Sequence, residues 1–320
     1  MSRESDDVII WGEPSWDTVA SVGSEAKTDT RSPALVADAV GGSGANTALS
    51  LAKVGIKVVL YGTIGKDYSG SSAKKILKDH GVETRLRSVE RNRRTVSIAT
   101  PDGHRTMYGS AGDQYFGGPH HTEPRLGTAH ILHASLTSIV RAQYDLLSDL
   151  ARLAANCSYV TLDAGNAPEL AGGNHATVAR ALNMLKPTVL FANEDEYETL
   201  VLHHSVSLQE TKFVVVKHGP DPCLVYECGV LTQQLAPEAR LTAVDSTGAG
   251  DAFAAGFIAA AVRTSTIDEC LEMGHQLAGM CVQEVGATLT DSSRLRRVQG
   301  HLKARSPGTQ PWLRKGTVIS

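Results

Sequence analysis

Short apolar runs rich in β-branched residues alternate with helix-period segments along most of this 320-residue chain, and that alternation restricts its fold more than any other feature. Residues 8–11, 58–61, 131–133, 160–162, 189–191 and 213–216 read as strands. Between them, residues 45–54, 71–80, 143–156 and 175–185 carry helical spacing, and a further helix starts at Glu194. Gly55 and Gly81 close the first two helices, and Pro187 stops the one at 175–185. Strands separated by helices of ten or so residues cannot pair as hairpins. They form parallel βαβ units, so the expected body is a mainly parallel sheet with helices on both faces. Two stretches break the rhythm. Residues 18–40 show no helical pattern and read as extended chain with loops. Residues 94–108 read as a hairpin, with strands at 96–100 and 104–108 around Pro101-Asp102-Gly103. Near the end, 251–262 and 267–285 read as consecutive helices, and the basic stretch from Arg294, with Pro307-Gly308, as a helix remnant plus loop. With no linker and no internal repeat, the expectation is a single domain over residues 1–300. Its β flap comprises about 18–40 and 94–112, and 301–320 form a C-terminal tail.

Composition narrows the class. At 42% hydrophobic and 20% charged residues, the chain can bury a full core and is not a disordered sequence. A net charge of −3 gives no electrostatic draw toward nucleic acid or an anionic membrane. The five cysteines include no CxxC pair, which reads as reduced thiols of a cytoplasmic protein. The acidic first seven residues lack the apolar stretch of a signal peptide, and the longest apolar run, 252–262, is too short to span a bilayer.

The chemistry concentrates where glycines cluster. Val244-Asp245-Ser246-Thr247-Gly248-Ala249-Gly250-Asp251 runs directly into an apolar helix. Gly248 and Gly250 leave backbone N–H groups bare at the positive end of that helix, an arrangement that binds phosphate. An aspartate beside a phosphate site opposes the ligand's charge, but it makes sense as a general base. Asp251 would take the proton from a hydroxyl attacking a phosphoryl group held by the Gly248, Ala249 and Gly250 amides. The plainer alternative makes Asp251 a helix N-cap after a tight turn. A second cluster, Gly41-Gly42-Ser43-Gly44-Ala45-Asn46, opens another helix, and Asn46 offers a donor and an acceptor to a neutral polyol. A third feature, Asn193-Glu194-Asp195-Glu196, lies at the end of a strand. There, carboxylates can hold Mg²⁺ through water or merely complement a helix dipole. No GxGxxG unit with a downstream acid and no GxxxxGK[ST] loop is present, which argues against dinucleotide enzymes and P-loop NTPases.

Together these segments resemble the PfkB, or ribokinase-like, family of carbohydrate and nucleoside kinases, from Ile9 to about Thr288. Residues 244–251 resemble the family's D-T-x-G-A-G-D signature, with Ser246 for its threonine. Gly41 to Asn46, with Leu49, Ala52 and Gly55, resembles its G-G-x-x-A-N-x-A signature. Asn193 and Glu196 match N-x-x-E, and Gly65, Asp67 and Gly70 match G-x-D-x-x-G. The resemblance implies a three-layer α/β/α fold with a mainly parallel central sheet and a β-sheet lid. It also implies transfer of the γ-phosphoryl of ATP to a hydroxymethyl group. Asp251 would then be the base, with Gly248, Ala249 and Gly250 the anion hole. Asp17, Gly42 and Asn46 would contact the acceptor. ATP would meet Asn193, Glu196, Lys217, Gly219, Thr247 and His275. Glu196 would organise Mg²⁺ through water, and K⁺ would sit near Asp245 and Thr247. Relatives also suggest a homodimer through the lid.

Departures from the family pattern bear on the substrate. Lys217-His218-Gly219 replaces the usual T-x-G. The lysine, asparagine and glutamate of ribose-specific members are missing at Ser43, Ser15 and near Ser135, while Gly12-Glu13 is similar to fructokinases and ketodeoxygluconate kinases. A fructose- or ketodeoxygluconate-like sugar is therefore expected before ribose. Trp16, Met107 and Tyr108 keep a nucleoside open as acceptor, and a family member that binds ligand without catalysis is a third reading. Arg91, Arg93 and Arg94 could bind an acidic or phosphorylated substrate but read first as a solvated charge run, and His120-His121 and His203-His204 lack metal-site spacing.

Overall fold

The computed structural model describes residues 6–23, 33–100, 105–110, 129–142, 146–166, 171–172, 175–263, 266–287 and 289–304. The expected turn at Pro101-Asp102-Gly103, the His120-His121 pair, lid residues 111–112 and the end of the tail lie outside these. Among the described residues the strands are β1 (Asp6–Trp11), β2 (Ser15–Val22), β3 (Ala34–Gly41), β4 (Val58–Gly65), β5 (Glu83–Val89), β6 (Arg93–Ala99), β7 (Arg105–Ser110), β8 (Ala129–Ser135), β9 (Cys157–Asp163), β10 (Val189–Asn193), β11 (Phe213–Lys217), β12 (Cys223–Glu227) and β13 (Val230–Leu235). Nine of them form a central sheet in the order β13-β12-β11-β10-β9-β8-β1-β4-β5. Pairing is parallel from β11 through β5; β12 pairs antiparallel to both β11 and β13, so it alone runs against the other eight strands. The β12–β13 hairpin was not anticipated from the sequence, although Cys223–Tyr226 is an apolar run and Gly229, at φ +83, supplies the turn; the edge strand β13 mixes apolar and polar residues.

Period-two burial explains the layers. Val8, Ile10, Val58, Leu60, Phe191 and Val215 face one side of the sheet. There they pack against α1 (Ser43–Lys53), α2 (Tyr68–Asp79), α7 (Ala249–Arg263), α8 (Ile267–Cys281) and α9 (Ser292–Lys303). Ile9, Trp11, Val59, Leu132, Leu190 and Val214 face the other, against α3 (Leu136–Arg141), α4 (Leu146–Ala154), α5 (His175–Leu185) and the short α6 (Glu194–Glu198). The result is a three-layer α/β/α body. α7 is buried from Ala252 to Val262, as its nearly unbroken apolar sequence requires.

Several boundaries differ from expectation for identifiable reasons. α1 starts at Ser43, two residues early, and α8 ends at Cys281, four residues short of position 285, with Val282 as its C-cap. The stretch expected as a helix remnant from Arg294 is the twelve-residue helix α9. Asp291 caps it, accepting from the Ser293 and Arg294 amides. The helix from Glu194 lasts one turn before a π-type turn at Thr199–His203.

The stretch at 18–40 and the hairpin join in a separate four-stranded sheet, ordered β3-β2-β6-β7. β2 pairs antiparallel to β3 and parallel to β6, and β6 pairs antiparallel to β7. The chain reaches this sheet from the carboxyl ends of core strands. β1 enters β2 through residues 12–14, and β5 enters β6 through residues 90–92. The small sheet therefore stands over the edge where open parallel sheets bind ligands.

Candidate active site

Parallel strands β9, β10 and β11 end side by side, and their last residues deliver the charged groups. Asp163 ends β9, Asn193 ends β10 and Lys217 ends β11, where Asn193 and Lys217 are register partners. The Lys217 ammonium donates to Asp163 Oδ2 at 2.9 Å, with both side chains largely buried. Burial alone would lower the Lys217 pKa, but the Asp163 and Glu196 charges raise it overall, so the group is a fixed cation. Asn193 and Glu196 form a capping box: Glu196 N donates to Asn193 Oδ1, and Asn193 N to Glu196 Oε2, each at 2.8 Å. Glu196 thus has a structural task and is also 5% exposed at the cluster's centre. Burial, and then the Asp163 charge, push its carboxyl up to about 7. Asn193, Glu194, Asp195, Lys217, His218 and Asp221 line a cavity of about 330 Å³.

The loop before α7 closes on this cluster. Asp245 accepts from Thr247 N (2.8 Å) and Thr247 Oγ1 (2.7 Å) through Oδ1, and from Gly286 N (2.8 Å) through Oδ2. The Cys281 thiol donates to Thr247 O at 3.3 Å. Gly248 holds φ +73, and a Cβ there would meet Ala287 Cβ at 2.3 Å. A Cβ on Gly250 would lie 3.1 Å from Lys217 Nζ, which places that ammonium directly beside the bare loop.

Asp251 does not cap its own helix. It lies inside the first turn of α7 and accepts from Ser43 Oγ at 2.6 Å and from Asn46 Nδ2 at 2.9 Å. Both donors belong to α1, so the two glycine-led helices meet through this carboxylate. Burial pushes Asp251 up to about 6. The Asp163 charge adds to the rise, while the Ser43 and Asn46 hydrogen bonds and the Lys217 charge oppose it. Asn46 is buried, and its Oδ1 has no hydrogen-bond partner.

Asp17 stands on β2 of the small sheet. It accepts from Ser15 Oγ at 2.7 Å, and its Oδ2 is 1.9 Å from where a Gly41 Cβ would be. Gly42, at φ +92, carries the chain from β3 into α1. Burial raises the Asp17 pKa, with Ser15, Thr95 and Arg93 acting against it. Trp16 is turned to pack edge-on against Tyr68, and Met107 and Tyr108 are exposed. Gly219, at φ +59, forms the turn after β11. His275 sits 3.1 Å from Leu235 O and packs edge-on against Phe253, away from the charged cluster's hydrogen bonds.

Three residues in this region, Asp163, Ser43 and Glu13, carried no site role from sequence, and Arg93, expected within a solvated charge run, is half-buried. Asp163 had a usable signal, since it follows the strand at 160–162 just as Asn193 follows the strand at 189–191. The contacts of the others depend on the path of the chain into the small sheet. Among the described residues, no group of three or more His, Cys, Asp or Glu side chains gathers as a direct metal site, and no helix is long and apolar enough to cross a membrane.

Comparison with known proteins fits this architecture. The description "pfkB family carbohydrate kinase" matches residues 7–294. An ATP-dependent ribose-1-phosphate kinase of Halopiger xanaduensis is 29% identical over 292 residues, covering 88% of this chain and 93% of that protein. The crystal structure of adenosine kinase from Sinorhizobium meliloti superposes with a TM-score of 0.77 at 20% identity, covering 92% and 99% of the two chains. Arabidopsis thaliana ribokinase complexed with ribose and ATP gives a TM-score of 0.67 at 22% identity, covering 92% and 99%. The fold is ribokinase-like, and the chain belongs to the pfkB family of carbohydrate kinases.

Proposed function

We propose that this protein transfers the γ-phosphoryl group of ATP to a hydroxymethyl group of a small sugar, with Asp251 as general base. The observation that carries the reading is the placing of Asp251. Its carboxylate is held by Ser43 and Asn46 of the acceptor-side helix while it sits on the first turn of the phosphate-side helix. In the reaction the acceptor oxygen forms a bond to the γ-phosphorus, the bond from that phosphorus to the bridging oxygen of ADP breaks, and the hydroxyl proton passes to Asp251. The Gly248, Ala249 and Gly250 amides receive the phosphoryl oxygens, and Lys217 offsets their charge from the side of Gly250. Mg²⁺, were it bound with the nucleotide, would supply further charge neutralisation. Asn193 and Glu196, joined in the capping box at the end of β10, would hold it through water. A K⁺ ion at Asp245 and Thr247 would share oxygens that already accept protein donors, so it enters this reading as a loop stabiliser.

The half-buried Asp17 and the buried Asn46 Oδ1 supply acceptors for sugar hydroxyls, and loss of a hydroxyl would leave Asn46 Oδ1 unpaired. The face of β2 and β6 that carries Asp17 also carries Ser15, Thr95 and Ser97, and Ser97 Oγ is buried without a partner. That polar stripe, with Trp16 turned away, favours a sugar over a nucleobase. A fructose- or ketodeoxygluconate-like acceptor fits the missing ribose-type residues, and the Halopiger relative adds ribose 1-phosphate to the set. Exposed Leu35 and Val36 on β3 and Met107 and Tyr108 on β7 support self-association through the lid. A screen of sugars, sugar phosphates and nucleosides with ATP and Mg²⁺, following ADP release, tests the reading. Turnover with a sugar or sugar phosphate supports it. Turnover with adenosine alone would move the assignment to a nucleoside kinase, and ligand binding without any turnover would make the protein a non-catalytic member.

A further inference from the structure

The three arginines before the hairpin do not share one fate. Arg91 and Arg94 are exposed, but Arg93 is half-buried. Its strand runs parallel to β2 with Ser15 opposite Arg93 and Asp17 opposite Thr95. Side chains two apart on a strand share a face, so Ser15, Asp17, Arg93 and Thr95 stand together on one side of the small sheet. Glu13, in the crossing out of the body, feels the charge of the same arginine. It is 6% exposed, lies in the crossing from β1 to β2, and its Oε2 is 3.4 Å from the Ser138 hydroxyl. Burial raises the pKa of both Glu13 and Asp17. The Arg93 charge is the largest influence pulling Glu13 back down, and it acts on Asp17 in the same sense, after the Ser15 and Thr95 hydrogen bonds.

Arg93 heads β6 directly after the second crossing, and that crossing is pinned on its core side. Asn92 N donates to Asp67 Oδ2 at 3.0 Å, Gly65 N donates to Asn92 Oδ1 at 3.0 Å, and Asp67 Oδ1 also caps α2 through Gly70 N at 2.9 Å. The G-x-D-x-x-G segment therefore anchors the very stretch of backbone that presents Arg93. The backbone that presents Arg93 is thus anchored to the body, and its side chain stands on the lid face that carries Asp17.

We propose that Arg93 is a positioning residue for the acceptor: it bridges Glu13 of the body and Asp17 of the lid, and so fixes the Asp17 carboxylate over the acceptor cleft. This rests on the sugar-kinase reading above. A planar guanidinium suits the task, because it presents several donors in a fixed fork and stays charged at every working pH.

The test compares Arg93→Met, Arg93→Lys, Asp17→Asn and the Asp17→Asn/Arg93→Met double variant with the wild type. Acceptor KM, ATP KM, kcat and Tm are measured for each, using the acceptor that supports turnover. Arg93→Met should raise acceptor KM about tenfold or more, with kcat and ATP KM changed by less than about threefold, since the loss is one of acceptor placement. Arg93→Lys should recover part of the acceptor KM. The double variant should bind acceptor no worse than Asp17→Asn alone, because Arg93 acts through Asp17. Acceptor KM within about twofold of wild type, an equal rise in ATP KM, or additive effects in the double variant would overturn the proposal. Should Arg93→Met fail to fold, Arg93→Gln takes its place in the same comparison. A wild-type protein that phosphorylates no acceptor would overturn the kinase reading itself. An active wild type with an unmoved acceptor KM in Arg93→Met overturns the positioning role alone.

Discussion

A carboxylate in the first turn of a helix ordinarily accepts from that helix's own free N–H groups. Asp251 bonds instead to two side chains of another helix, and burial holds its pKa near 6. Such a group is ionised at neutral pH yet basic enough to accept a proton, as the proposed role requires. The sign of its pH dependence follows. The base must be ionised, so kcat/KM should fall as pH drops through about 6, about two units above the range of an ordinary aspartate. Stability runs the other way. Because folding raises this pKa above its unfolded value of 3.8, Asp251 costs stability that sets in as pH rises from about 4 to about 6 and persists above. Asp251→Asn should therefore melt higher than wild type at pH 7.5, with the gain vanishing near pH 4; a lower Tm at pH 7.5 would contradict the burial argument. Lys217 makes a second residue-scale test. Removing its charge by Lys217→Met leaves Asp163, Glu196 and Asp251 facing one another, so activity should fall roughly a hundredfold as phosphate stabilisation is lost, measured as kcat at saturating ATP.

At the scale of elements, the loop before α7 contains two glycines with different tasks. Gly248 needs a positive φ and has Ala287 against it, so Gly248→Ala should lower Tm clearly, with about 1–2 kcal/mol from the left-handed backbone alone. At Gly250 a methyl would meet only the end of the flexible Lys217 side chain. Gly250→Ala should therefore spare Tm while lowering kcat, and equal thermal effects of the two substitutions would refute this division of labour. Both glycines stood out in the sequence because a bare loop running into an apolar helix leaves a local mark. Asp163 did not stand out, although it is the carboxylate that holds Lys217. Residues 163 and 217 meet only because β9, β10 and β11 lie side by side, and strand order is not written in either strand. For the same reason, Arg93 read as one of three solvated charges: its half-buried position depends on β6 pairing with β2 far back in the chain. The alternation of apolar runs carried the parallel core; Cys223–Tyr226 of β12 is a comparable run that went unread, while β13 mixes apolar and polar residues and left a weaker signal.

At the scale of the molecule, the body and the small sheet divide the chemistry between them. The ends of β9, β10 and β11 and the start of α7 gather the groups suited to phosphate, while the lid brings Asp17 over the start of α1. Within the body, Asp251 of α7 and Asn46 of α1 join the phosphate side to the helix beneath Asp17. A sugar bound there should close the lid and exclude water from the transferring group. Amide hydrogen exchange in β2 and β6 should then slow when acceptor binds, and unchanged exchange in a complex of known occupancy would argue against a lid. The most direct test of the whole account is kcat of Asp251→Asn beside wild type, with the acceptor that the screen returns and with ATP binding and Tm measured on the same samples. Asp251→Asn should stay folded, bind ATP within about threefold of wild type, and lose kcat by about a thousandfold. A folded Asp251→Asn protein with kcat near that of wild type would contradict the assignment of the base.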